Sequence, residues 1–166
     1  MANRFDPYRK FKYKVAFSGF PDVELGFSSV SGLTEETTAI EYREGNETST
    51  PRKVPGMTNY DNIVLERGMG SNTFMLDWRK KVFDRNRGFF QYPDNDFRLT
   101  VYISLWSKAG GLIRDWKVLN AWPTIYETDD LQADGDEILM ERVELAHEGI
   151  IHTPYNQNSE TGGFGF

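Results

Sequence analysis

"EYREGNETSTPRKVPGMTNYDNIVLERG", Glu41 to Gly68, opens and closes as a β-strand. Between its ends lie about fifteen residues with little to bury, whereas hairpins in compact domains close in two to five. Just upstream, Thr34–Glu44 (TEETTAIEYRE) alternates. Thr38, Ile40 and Tyr42 fall on one face, and Glu35, Thr37, Ala39, Glu41 and Arg43 on the other. A polar face this long is bathed in solvent or looks into a water-filled channel. After Pro51, Pro55 and Gly56 the pattern resumes at Asn62–Gly68, with Ile63, Leu65 and Arg67 set against Asn62, Val64 and Glu66. Glu41–Arg43 and Ile63–Glu66 therefore read as two strands of one hairpin, joined by a long charged loop with no core of its own.

Working outward, FKYKVAF (Phe11–Phe17) alternates as a half-buried strand, and Gly19–Asp22 turns the chain. Glu24–Ser31 reads as one short strand. Ser71 is placed to cap a helix over NTFMLDWRKKVFDRN, whose Phe74, Met75, Trp78, Val82 and Phe83 form one apolar stripe. FRLTVYISLW (Phe97–Trp106) and LIRDWKVLNAW (Leu112–Trp122) make a strand pair, with Pro123 at an edge or kink. EILMERVELAH (Glu137–His147) has a helix-like composition, but Leu139, Val143 and Leu145 alternate with charged neighbours, and a hairpin-rich context favours a strand. About seven strands and one helix result, a β-sandwich or barrel with the helix plugging one end.

A chain of 166 residues fits one domain able to build a core without staples. We expect that domain over 1–150, followed by a polar, Gly-rich tail over 151–166. There are no cysteines, which removes disulfides, thiolate metal sites and cysteine nucleophiles. No apolar run is long enough for a membrane-spanning helix, and MANRFDPYRKFKYK lacks the apolar segment of a secretory signal, so synthesis in the cytoplasm is expected. The net charge of −6 argues against a nucleic-acid reader, but it does not prevent nucleic acid from sliding past.

Catalytic signals are weak. His147 and His152 are the only imidazoles, no nucleophile elbow accompanies them, and no HExxH, Walker or GxGxxG motif occurs. Asp129, Asp130, Asp134, Asp136 and Glu137 offer oxygens, but DDLQADGDE lacks the EF-hand spacing and reads as a solvated turn. Trp78, Trp106, Trp116 and Trp122 read as core and interface anchors rather than a sugar platform. No enzyme, cofactor or metal site is expected.

An ordered set of segments then carries a resemblance: DPYRKFKYKV (Asp6–Val15), SVSGL (Ser29–Leu33), IEYREG (Ile40–Gly45), RKVPGMTNYDNIVLERGM (Arg52–Met69), NAWP (Asn120–Pro123) and MERVELAHEG (Met140–Gly149). Together they resemble the tail-tube proteins of contractile phage tails and phage-tail-like injection systems. The resemblance implies a mainly β protomer with one α-helix that joins five further copies in a hexameric ring. Rings stack into a hollow tube inside a sheath, and long hairpins form a continuous barrel around the lumen. It places Glu35, Glu41, Arg43, Asn62 and Glu66 on the lumen wall. Glu44, Asn46, Pro51, Arg52, Lys53, Pro55, Gly56 and Tyr60 fall in a loop that clasps a neighbouring subunit, and Asp6, Pro7 and Tyr8 in an N-terminal contact. Implied partners are the sheath, baseplate and tail-terminator proteins, and a tape-measure or cargo in the lumen. DNA or an effector would pass without specific binding. The mature protein would sit in a virion tail or injection particle. The hexameric ring protein of type VI secretion is similar in architecture, so a secreted ring-forming carrier is the alternative function, and a monomeric β-barrel ligand binder is a second. Segments 84–97 and 151–166 match no motif of the family.

Overall fold

The computed structural model describes residues 13–43, 45–46, 50–86, 97–107, 110–130 and 138–154. In chain order the elements are β1 (Tyr13–Phe17), β2 (Phe20–Phe27), β3 (Ser29–Ser31), β4 (Glu35–Tyr42), β5 (Arg52–Tyr60), β6 (Ile63–Gly68), α1 (Phe74–Asn86), β7 (Leu99–Trp106), β8 (Leu112–Thr128), β9 (Met140–Ala146) and β10 (Gly149–Pro154). Ten strands replace the expected seven, all pairing antiparallel. The segment expected as one strand over Glu24–Ser31 is two, because the chain changes partners at Ser28: β2 pairs with β1, and β3 with β6.

That change of partner closes the body. The hydrogen-bonded path runs β2-β1-β7-β8-β9-β6-β3, and its two ends are one run of chain broken only at Ser28. Both the amide and the hydroxyl of Ser28 bond the Glu66 carbonyl, at 2.9 and 3.0 Å. β8 makes the opposite corner. Its first half pairs with β7 and β10, and Trp122–Thr128 pairs with β9. Asn120, at φ 51°, and Pro123 sit where it switches, consistent with corners being turned by bent strands. Residues 151–154, expected in the tail, instead continue β10 along β8.

The two halves bury their alternating apolar faces against each other. Val15, Phe17, Val101, Ile103 and Val118 come from one half, and Ile63, Leu65, Val143 and Leu145 from the other. Glu137–His147 thus supplies a strand, as its alternation required. Helix α1 covers one end. Trp78 lies 5.4 Å from the Phe17 ring, and its indole N–H donates to the Phe97 carbonyl at 2.6 Å. The helix begins at Phe74, two residues later than expected. Asn72, not Ser71, is the cap, its Oδ1 accepting from the Phe74 amide at 2.9 Å. Leu145 is fully buried opposite Ile63. Leu145→Ala should cost about 3 kcal/mol through the cavity it leaves. Urea denaturation checks this, and an unchanged midpoint would contradict the packing described.

One buried carboxyl lacks full compensation. Asp115 on β8 faces Ser104 on β7 and Thr153 on β10, is 9 % exposed, and its Oδ1 has no hydrogen-bond partner. Burial pushes its pKa above the ordinary carboxylate value, and a hydrogen bond with Ser104 opposes this only in part. A raised acid pKa means the folded state holds its proton longer than the unfolded chain. Stability therefore falls as pH rises from the ordinary carboxylate range through the raised value. Asp115→Asn should melt higher than wild type at pH 7, and the gap should shrink as pH falls into that range. Thermal melts across pH test this, and a destabilised Asn variant at pH 7 would refute it.

Candidate assembly surface

The segment 44–61 is the main departure from the sequence reading. Most of the expected loop is strand β5, and β4 pairs with it rather than with β6. Pro55 and Gly56 look like breakers in a sequence, but here they sit in a bulge. Between Thr37 and Ala39 the register slips, so that two residues of β5, Gly56 and Met57, oppose Thr38. A Cβ on Gly56 would lie 2.9 Å from both the Ile40 side chain and the Thr38 carbonyl oxygen, so the close approach requires glycine.

β4 and β5 form a separate two-stranded sheet, an arm beside the closed body. The arm still continues a body ladder. Pairs Ser29↔Glu66, Val30↔Leu65 and Ser31↔Val64 are followed, with no slip, by Glu35↔Tyr60, Glu36↔Asn59 and Thr37↔Thr58. The Asp61 amide bonds the Thr34 carbonyl at 3.4 Å across the junction. Gly32 makes that junction possible. Its φ is +80°, and a Cβ there would come within 2.0 Å of the Asn62 carbonyl oxygen. The root is held by His147. Its Nε2 lies 2.9 Å from the Asp61 carbonyl, which can only accept, so Nε2 carries the proton. The Tyr60 ring packs 5.5 Å from the imidazole.

The arm has two unlike faces. Residues directly opposite share a face, so Glu35, Thr37, Ala39 and Glu41 lie with Tyr60, Thr58, Pro55 and Lys53. There the Thr37 and Thr58 hydroxyls bond at 2.9 Å, and Glu41 stands opposite Lys53. The other face carries Ile40, Tyr42 and Val54, all exposed, and at the bulge Met57, which is 77 % exposed. Every residue of β4 is exposed in the single chain.

The residues expected to line one wall are distributed over both sheets. Glu35 and Glu41 lie on β4, with Arg43 just beyond it. Asn62 immediately precedes β6 and Glu66 lies on it, in the closed body. The arm and β6 share one pairing register, but at the root Leu33 and Tyr60 pack against the buried core, whereas Asn62 and Glu66 face outward. Of the expected clasp residues, Arg52, Lys53, Pro55, Gly56 and Tyr60 belong to β5 rather than to a loop. Asn46 and Pro51 lie between the two arm strands. Glu44, Asp6, Pro7 and Tyr8 lie outside the described residues.

Sequence reasoning missed three residues that pairing adds to the outward face of β6. Arg142 on β9 stands between Glu66 on β6 and Glu127 on β8, at 3.7 Å and 3.0 Å. Glu144 accepts a 2.8 Å hydrogen bond from the Asn62 amide. The alternation in MERVELAH placed Arg142 and Glu144 opposite Val143 and Leu145, but only the β6–β9 ladder shows what they meet. Of the acidic turn, Asp129 is described, and its carboxylate caps the Met140 amide at 2.9 Å. Asp134, Asp136 and Glu137 lie outside the described residues. Among the described residues no cluster of three or more His, Asp or Glu could hold a metal.

The fold is thus a closed β-body with one capping helix and a two-faced arm. The chain belongs to the T4-like virus tail tube protein gp19 family, whose pattern matches residues 9–151. No curated protein sequence matches it. A chain of the extracellular contractile injection system PVC, from its sheath–tube complex in the extended state, is 27 % identical with a TM-score of 0.70, over 92 % of this chain and 95 % of that one. A chain of the anti-feeding prophage cap, a tube-terminating cap, is 26 % identical with a TM-score of 0.68, over 93 % of this chain and all (100 %) of that one. Hcp1 from Flavobacterium johnsoniae, at 13 % identity and a TM-score of 0.53, shares the fold over 87 % of this chain and 97 % of its own.

Proposed function

We propose that this chain is the inner-tube subunit of a contractile injection machine, with six copies in each ring and rings stacked into a hollow conduit for DNA or protein cargo. The observation that carries this reading is the arm. Strand β4 is exposed at all eight positions, and Ile40 and Tyr42 on it form with Val54 on β5 an apolar face that no core among the described residues covers. A second copy supplies that core. Glu35, Glu41, Asn62 and Glu66 then line the lumen, with Arg43 at the far end, and the clasp residues of β5 meet the neighbour. Likeness to chains from a sheath–tube complex and from a sheath/tube terminator supports a sheath and a terminator as partners. Among the described residues no helix is long and apolar enough to cross a membrane, in keeping with a place in the tube.

Electron microscopy of the purified protein at high concentration, and of particles from the source, tests this. Stacked rings inside a contractile sheath are the expected result. A protein that stays monomeric and never enters such particles would sink the proposal. Isolated rings released without any tail-like particle would favour the secreted-carrier alternative.

A further inference from the structure

Among the described residues, Arg142 is the one cation in the outward polar group of Asn62, Glu66, Glu127 and Glu144 on the body, and it is not presented freely. Its Nη1 lies 3.0 Å from Glu127 Oε2, and its Nε 3.7 Å from Glu66 Oε1. The three side chains are about half exposed, and exposed pairs of this kind add little to stability. On the arm, Lys53 likewise stands opposite Glu41. A free guanidinium is the side chain best shaped to grip a phosphate or carboxylate through two parallel N–H bonds. Set between two carboxylates, with Glu144 two residues along the same strand, Arg142 has its charge overbalanced and its Nη1 already bonded to Glu127.

We propose that Glu66 and Glu127 cancel Arg142, so that this face does not retain a phosphate polyanion moving along it. This deepens the conduit reading and rests on it. In a ring, one uncancelled arginine per copy would become a belt of cations around the passage. Phosphate contacts of that kind release counterions and hold nucleic acid in a salt-dependent way. The carboxylates are thus determinants of passage rather than of folding.

The test compares wild type, the double variant E66Q/E127Q and the triple variant E66Q/E127Q/R142Q. The probe is a fluorescently labelled oligonucleotide, with binding measured at about 50 mM and about 200 mM salt. The double variant should bind at least about tenfold more tightly than wild type at the lower salt and lose that gain at the higher. The triple variant should return to the wild-type level, and all three should melt within a few degrees of one another. A double variant that binds no better than wild type overturns the proposal. So does a triple variant that binds as well as the double, because the gain would then not come from Arg142. Failure of the conduit reading is seen separately. The chain has no cysteine, and Ser29 pairs with Glu66 on this face. If Ser29→Cys in assembled particles reacts with a maleimide carried on a bead too large to enter a tube, the face lies outside. The oligonucleotide comparison would still decide whether Arg142 is cancelled.

Discussion

Replacing Arg67 by alanine should destabilise the protein by about 3–5 kcal/mol, lowering its melting temperature on the order of 10 °C. Arg67 and Glu141 are 7 % and 6 % exposed, and the guanidinium Nε bonds the carboxylate directly. Glu141 also accepts from the Tyr126 hydroxyl at 2.9 Å, and Arg67 Nη2 donates to the Asn72 carbonyl at 2.9 Å. Its guanidinium carbon lies over the Phe27 ring, 5.9 Å from the ring centre. The alanine variant leaves a carboxylate in the core with only the phenol to answer it. It also frees the start of α1, because Asn72 is the helix cap. Replacing both charges with apolar groups, as in R67M/E141L, should recover much of the loss, since the large penalty belongs to the stranded charge and not to the missing attraction. Urea denaturation of the three proteins checks this. A single variant as stable as wild type would show that water reaches Glu141 and that the site is not a core site. The same network makes Tyr126 hard to ionise: burial first, then its bond to Glu141, raise its pKa to about 12. Its contribution is complete below the ordinary phenol value near 10 and fades as pH climbs through about 12.

Excising the arm should have the largest effect on assembly and almost none on the fold. Replacing Glu36–Asn59 by an Asn-Gly turn joins Glu35 to Tyr60, which are already paired, and leaves the root contacts of Tyr60 and Asp61 with His147 intact. None of the buried core residues lies in the excised stretch. The shortened protein should keep its circular dichroism spectrum in the body region and melt within a few degrees of wild type. It should sediment as a monomer at concentrations where, on the proposed reading, the full chain assembles. Global unfolding would place the arm in the protomer core, and persistent rings would assign assembly to another surface. Removing only Asn46–Pro55 is a poorer cut, because it takes the first half of β5 and strands its partners on β4.

Much of the body was legible because alternation survives burial on one side. YKVAF, FRLTVYISLW and MERVELA put Val15, Phe17, Leu99, Val101, Ile103, Val143 and Leu145 inward, as their spacing required. β5 was not legible because its Pro55 and Gly56 are common turn residues. Only the pairing with Thr38 and Ala39 shows them absorbing a bulge. Partner choice was equally hidden. β4 and β6 both alternate, and nothing in their sequences says that the first meets β5 while the second meets β3 and β9. The division of the arm into polar and apolar faces was readable from Thr34–Glu44, since it depends only on period two. The charges of Arg142 and Glu127 join Glu66 on the body through two ladders that bring distant stretches together, which no local pattern records.

The junction at Gly32 has a geometric consequence. The arm is a ribbon of two strands, so β4 and β5 each present one unpaired side, and the ribbon has a valence of two. Copies that join through both sides make a head-to-tail contact, and such contacts either close into a circle or climb into an open helix, according to the rotation between neighbours. On the ring reading, that rotation follows the angle at which the ribbon leaves the body, which is held by the left-handed Gly32 pressed against the Asn62 carbonyl, the Asp61–Thr34 hydrogen bond and the His147 contact. A small error in that angle, repeated from copy to copy, turns a closed ring into a spiral. On the ring reading proposed above, the symmetry of the assembly depends on the root of the arm as well as on the surfaces that touch.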